Sequence, residues 1–80
     1  MKISQVVSMR IRECLRDKEV SLYRLEINSG LSKGTITSLI YCRYKSVNLS
    51  TLITITRTLG YSLSEFFDSP LFNDENLEED

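Results

Sequence analysis

The chain has 80 residues, 26% of them charged and 41% apolar, with a formal net charge of −1. That length holds one small domain with a modest core, and no apolar run approaches the roughly 18 residues of a membrane span. Two cysteines, no CxxC pair and no histidine leave too few ligands for a zinc site of the Cys/His kind and no imidazole for acid–base catalysis.

The first predicted helix covers residues 4–17, where Val7, Ile11, Cys14 and Leu15 form one apolar stripe. Ser21 then stands as an N-cap, with Val20 and Leu25 at the positions of a hydrophobic staple. The second helix runs from Leu22 to Asn28 and stops near Gly30. Leu31, Ser32 and Ile36 repeat the device, opening a third helix over 33–42 with Ile36, Leu39 and Ile40 inward. Val47, Asn48 and Leu52 use it again for a fourth helix from Leu49 to Leu59, which Gly60 closes. Within it "LITIT" alternates like a strand, but the preceding cap, the following glycine and the spacing of Leu52, Ile55 and Leu59 favour helix. Ser62 and Glu65 make a capping box for a fifth helix over 63–68, with Pro70 just beyond.

The charges are segregated. All ten Lys and Arg lie between Lys2 and Arg57, and residues 1–72 carry six acids, leaving that body at +4. The last eight residues, "NDENLEED", carry five acids and no base. The chain therefore divides into a body, residues 1–72, and an acidic, flexible tail, residues 73–80. The tail reads either as a solvated end or as a stretch that competes with an anionic partner for the basic face.

Nothing here looks enzymatic. Neither Cys14 nor Cys42 has an evident base partner, and no Gly-rich phosphate loop or metal-binding carboxylate cluster occurs. The two cysteines read as packed, reduced thiols of a cytoplasmic protein, and Met1 to Gln5 lacks the apolar core of a secretory signal. No cofactor, metal or small-molecule ligand is expected.

The stretch "NSGLSKGT", Asn28 to Thr35, is more informative. A helix end, a short turn through a glycine suited to positive φ, and a new helix start outline a helix-turn-helix. The outward side of the third helix then carries Ser32, Lys33, Gly34, Thr37, Ser38 and Tyr41. These mostly short polar groups, with one cation and one aromatic, suit a major groove. Arg43, Tyr44 and Lys45 follow where phosphate contacts would flank it.

On "SLYRL", "SGLSKGTI", "LSTLITITRTLG" and "SLSEFF", residues 20–67 resemble the lambda repressor/Cro-like helix-turn-helix family of bacterial and phage regulators. Leu25, Gly30, Ile36, Leu39, Thr51, Leu52, Ile55, Leu59 and Gly60 fall in register. The resemblance implies an all-α, five-helix DNA-binding domain with its helix-turn-helix at helices 2 and 3. It implies that Lys33, Gly34, Thr37 and Ser38 face bases, and that Ser21, Tyr23, Arg43 and Lys45 lie near phosphates. Glu26 stands where the family usually has a small residue, which either shifts the packing angle or aims the carboxylate at solvent. The function expected is a sequence-specific regulator of transcription, most simply a repressor acting by occupancy of double-stranded DNA. The alternative is a protein-interaction module such as the antitoxin of a toxin–antitoxin pair. Phe66, Phe67, Leu71 and Phe72 cluster near the end and are candidates for a homodimer interface.

Overall fold

The computed structural model describes residues 1–78. Five helices follow in chain order: α1 (Ile3–Lys18), α2 (Leu22–Ser29), α3 (Lys33–Ile40), α4 (Leu49–Leu59) and α5 (Leu63–Phe67). Two 3₁₀ turns, Pro70–Phe72 and Asp74–Asn76, close the described chain. The fold is all-α, as the apolar spacing requires.

Side-chain caps set most helix starts. Ser21 Oγ accepts from the Arg24 N–H, Ser32 Oγ from Thr35, and Asn48 Oδ1 from both Ser50 and Thr51. Ser62 and Glu65 complete the predicted box, each side chain accepting from the other residue's backbone N–H. Bonding to the Ser62 N–H holds the Glu65 carboxyl below the ordinary glutamate range. Each such cap satisfies orphan amides and typically contributes about 1 kcal/mol.

The strand-like "LITIT" lies inside α4, and the threonines within it and just beyond bond back to the helix they sit in. Thr54 Oγ1 donates to the Ser50 carbonyl at 3.2 Å, Thr58 Oγ1 to Thr54 at 2.7 Å, and buried Thr56 to Ile53 at 3.0 Å. Their hydroxyls are thereby satisfied, and Leu52, Ile55 and Leu59 still reach the core.

The third helix is shorter than its spacing predicts, ending at Ile40 rather than residue 42. Cys42 takes a left-handed conformation, φ 56°. Its N–H bonds Leu39 O, and the Arg43 N–H bonds Ser38 O at 2.8 Å, a Schellman closure on a residue that is not glycine. Sequence alone points to glycine or asparagine for that role, so the stop was hidden.

One core joins all five helices. Val7, Ile11, Cys14 and Leu15 of α1 meet Leu25, then Ile36, Leu39 and Ile40 of α3, then Leu52, Ile55 and Leu59 of α4, and Phe66 of α5. Burying side chains of this size stabilises by about 1.5–3 kcal/mol each before entropy is counted. Cys14 is free and buried, and burial pushes its thiol pKa up, away from reactivity. Cys42 is also free. Arg10 ties α1 to the end of α5, donating from Nε to the Phe66 carbonyl at 2.7 Å and from Nη2 to Glu65 at 2.9 Å.

Phe66 corrects an expectation. It is fully buried, so its ring belongs to the core and is not presented to a second copy. Phe72 packs on that core from its edge, Leu71 is half-buried, and Phe67 is 38% exposed. The interior has room for more of this cluster than the chain's length suggests.

Residues 76 and 78 of the acidic stretch contact the start of the chain. The amino-terminal ammonium donates to the Asn76 carbonyl at 2.8 Å and pairs with the Glu78 carboxylate at 2.9 Å. The Glu78 N–H returns to Met1 O, forming a parallel bridge between residues 2 and 78. Glu79 and Asp80, two of the five tail acids, lie outside the described residues. No helix among the described residues is long and apolar enough to cross a membrane.

Candidate nucleic-acid interface

Helix α2 ends at Gly30, whose φ is 73°, and three residues later α3 begins. A β-carbon built on Gly30 meets nothing within 4 Å, so the constraint there is the backbone itself. Gly30→Ala should therefore fold, but lose about 1 kcal/mol, the left-handed penalty less the unfolded-state entropy that alanine removes. A urea titration checks this as a lower midpoint at unchanged slope.

Of the predicted base-facing residues, Ser32, Lys33, Gly34 and Tyr41 are exposed and Thr37 is half-exposed. Among the described residues neither Lys33 nor Thr37 has a side-chain partner, so both present free donors. Ser32 is exposed, but its hydroxyl caps α3 and lies 2.8 Å from Thr35 Oγ1. Its oxygen is thus partly committed to the fold.

Ser38 departs from the expectation. Helical spacing turns it outward, yet it is only 8% exposed. The chain reverses through Cys42 and brings the Arg43 N–H onto the Ser38 carbonyl, folding the next segment back over this last turn. The outward strip is therefore Lys33, Gly34, Thr37 and Tyr41.

The predicted phosphate-side residues are exposed as well. Ser21 and Tyr23 are exposed at the start of α2, with Tyr23 at 69%. Arg43, Tyr44 and Lys45 are exposed in the loop after α3. Glu26 is half-exposed, and among the described residues its side chain makes no hydrogen bond or ion pair.

Two residues here were not singled out from sequence. Arg12 of α1 donates from Nη2 to Ile40 O, the end of α3, at 3.3 Å. Its guanidinium also lies 5.8 Å from the Tyr41 ring, whose neighbourhood Arg43 shares at 6.0 Å. Tyr41 thus stands between two cations, and Arg12 sits favourably at a helix C-terminus. The second is Lys2. It lines a cleft of about 410 Å³ with Ser4, Cys42, Arg43, Tyr44 and Lys45. Only tertiary packing brings α1 beside the end of α3, so local spacing carried no signal for either residue.

An outward strip of Lys33, Gly34, Thr37 and Tyr41, with Arg43 and Lys45 exposed in the loop that follows, offers cations and short polar groups to a polyanion. Compared with known protein families, residues 10–70 match the model described as a Cro/C1-type HTH DNA-binding domain. No curated protein and no solved structure matches the chain.

Proposed function

The chain belongs to the Cro/C1-type helix-turn-helix DNA-binding family, and from that premise we propose that it is a sequence-specific transcriptional regulator that lays α3 in the major groove and represses by occupancy. The observation that carries the reading is the outward strip of Lys33, Gly34 and Thr37 on α3, with Tyr41 at its C-cap. Lys33 is suited to guanine O6 and N7, and the Thr37 methyl and hydroxyl to a thymine or a polar base edge. The bare surface at Gly34 lets the helix approach the bases closely.

Arg43 and Lys45 on one flank, with Ser21 and Tyr23 on the other, suit phosphate contacts that fix register without reading sequence. Most of the affinity would then come from counterion release and fall steeply with salt. The exposed face of Phe67, next to the Phe72 ring, supports pairing of two copies, which would set two third helices about 34 Å apart, one turn of duplex. The family match favours DNA contact over the protein-docking alternative.

Selection of bound duplexes from a random library tests the proposal. A short enriched motif is expected, repeated as an inverted pair about 10 base pairs apart when two copies bind. Recovery of bound duplexes with no enriched motif would refute sequence-specific recognition.

A further inference from the structure

We propose that the cleft between the first turn of α1 and the Cys42–Lys45 loop seats a phosphate of the DNA backbone, and that Glu78 is held at its rim as an internal competitor for Lys2. The proposal rests on the DNA-binding reading above and extends it to a part of the chain far from the helix-turn-helix in sequence.

The cleft is lined by Lys2, Ser4, Cys42, Arg43, Tyr44 and Lys45: three cations, three polar or aromatic groups and no acid. Its walls are tied together. The Cys42 thiol donates to Ser4 O at 3.6 Å, and one turn further along α1 the Ser8 hydroxyl donates to Ile40 O at 2.6 Å. The cations are therefore brought together by fixed backbone rather than by chance crowding of long side chains. Three like charges around one hollow favour the approach of an anion. The cleft is also continuous with the recognition surface, since Arg43 both lines it and approaches the Tyr41 ring. A duplex laid along α3 would pass its backbone over this point.

In the free protein a carboxylate already stands at the edge. Glu78 lies 3.8 Å from Lys2 Nζ and 2.9 Å from the amino-terminal ammonium, positioned by the backbone bridge between residues 2 and 78. The ammonium and Lys2 hold its carboxyl below the ordinary glutamate range, so it stays ionised. Both partners of the Lys2–Glu78 pair are well exposed, and such pairs are weak and salt-sensitive. A phosphate can displace the carboxylate, and binding is reduced by the competition without being blocked.

The test is a double-mutant cycle on the full chain, titrated with a mixed-sequence duplex over a range of salt, with circular dichroism to verify the fold. A backbone contact acts on every sequence alike. Lys2→Gln should weaken binding several-fold at low salt and make the plot of log K against log salt shallower by about 0.9. Glu78→Gln should tighten binding roughly 2- to 5-fold, the scale of an exposed ion pair. In the Lys2→Gln background, Glu78→Gln should add nothing. Glu78→Gln binding like the parent overturns the competition. An equal gain with and without Lys2 overturns it too, by reducing the tail to a diffuse charge effect. Lys2→Gln binding like the parent overturns the phosphate seat while the helix-turn-helix reading stands. A parent that binds no duplex removes both.

Discussion

Alanine at both Lys33 and Thr37 should weaken binding to a selected operator by roughly 100-fold, two contacts at about 1–3 kcal/mol each, while the helical spectrum and the unfolding midpoint stay put. The separation is clean because neither side chain supports the fold. Among the described residues the Lys33 and Thr37 side chains have no hydrogen-bond or ion-pair partner, and α3 is held from its other side by Ile36, Leu39 and Ile40. Alanine also favours helix slightly over either residue, so a loss of binding cannot be blamed on a frayed α3. The two losses should differ in kind. Lys33→Ala alone removes a charge and lowers both specific and mixed-sequence affinity. Thr37→Ala alone should leave mixed-sequence binding and its salt dependence unchanged and relax discrimination at one base position. An unchanged footprint in the double variant would refute the assignment of α3 as the reading helix.

Ser38 and Arg12 show why the same face was only partly legible beforehand. Helix periodicity assigns a direction to each side chain along an ideal rod, and it placed Lys33, Gly34, Thr37 and Tyr41 on the open side. It says nothing of what the chain does after the rod ends. The left-handed turn at Cys42 folds the loop back over Ser38, and only coordinates reveal that turn because the residue is not glycine. Arg12 is beyond such reasoning for another reason. It lies 28 residues from the Ile40 carbonyl it bonds, and no local rule links the two.

Elements with local punctuation were readable almost to the residue. The starts of α2, α3, α4 and α5 each carry a side-chain cap bonded as expected at Ser21, Ser32, Asn48 and Ser62. Gly30 and Gly60 have the positive φ that their places after a helix require. The end of α1 was less clear. Its last turn closes on Glu19 at φ 56°, another left-handed residue with no glycine to announce it. Local signals thus fixed where helices begin better than where they stop. The return of the acidic stretch onto Met1 and Lys2 depends on where two distant ends meet, and charge counting along the chain offered only the sign of that attraction.

The C-terminal phenylalanines give the sharpest energetic test. Phe66→Ala should cost about 3–5 kcal/mol, the usual loss for a buried aromatic ring. Total stability for 80 residues is about 4–12 kcal/mol at 0.05–0.15 per residue, so the loss takes from about a quarter to all of it and the urea midpoint should fall steeply. The loss has several sources here. The ring is fully buried, with Phe67 and Phe72 at centroid distances of 5.4 and 5.9 Å and the Arg10 guanidinium 5.8 Å away. Without it, Arg10 still bonds the α5 carbonyls but closes over a void instead of a ring. Phe67→Ala should cost only about 1 kcal/mol, since that ring is 38% exposed and its removal leaves a surface hollow that water can fill. Urea titrations of the two variants, with sedimentation of each, separate packing from association. If Phe66 instead faced a second copy, its truncation would change the sedimentation coefficient and spare the melting of the single chain. A midpoint unmoved by Phe66→Ala would mean that α5 is not part of the core, and Arg10 would then have no buried end of α5 to hold.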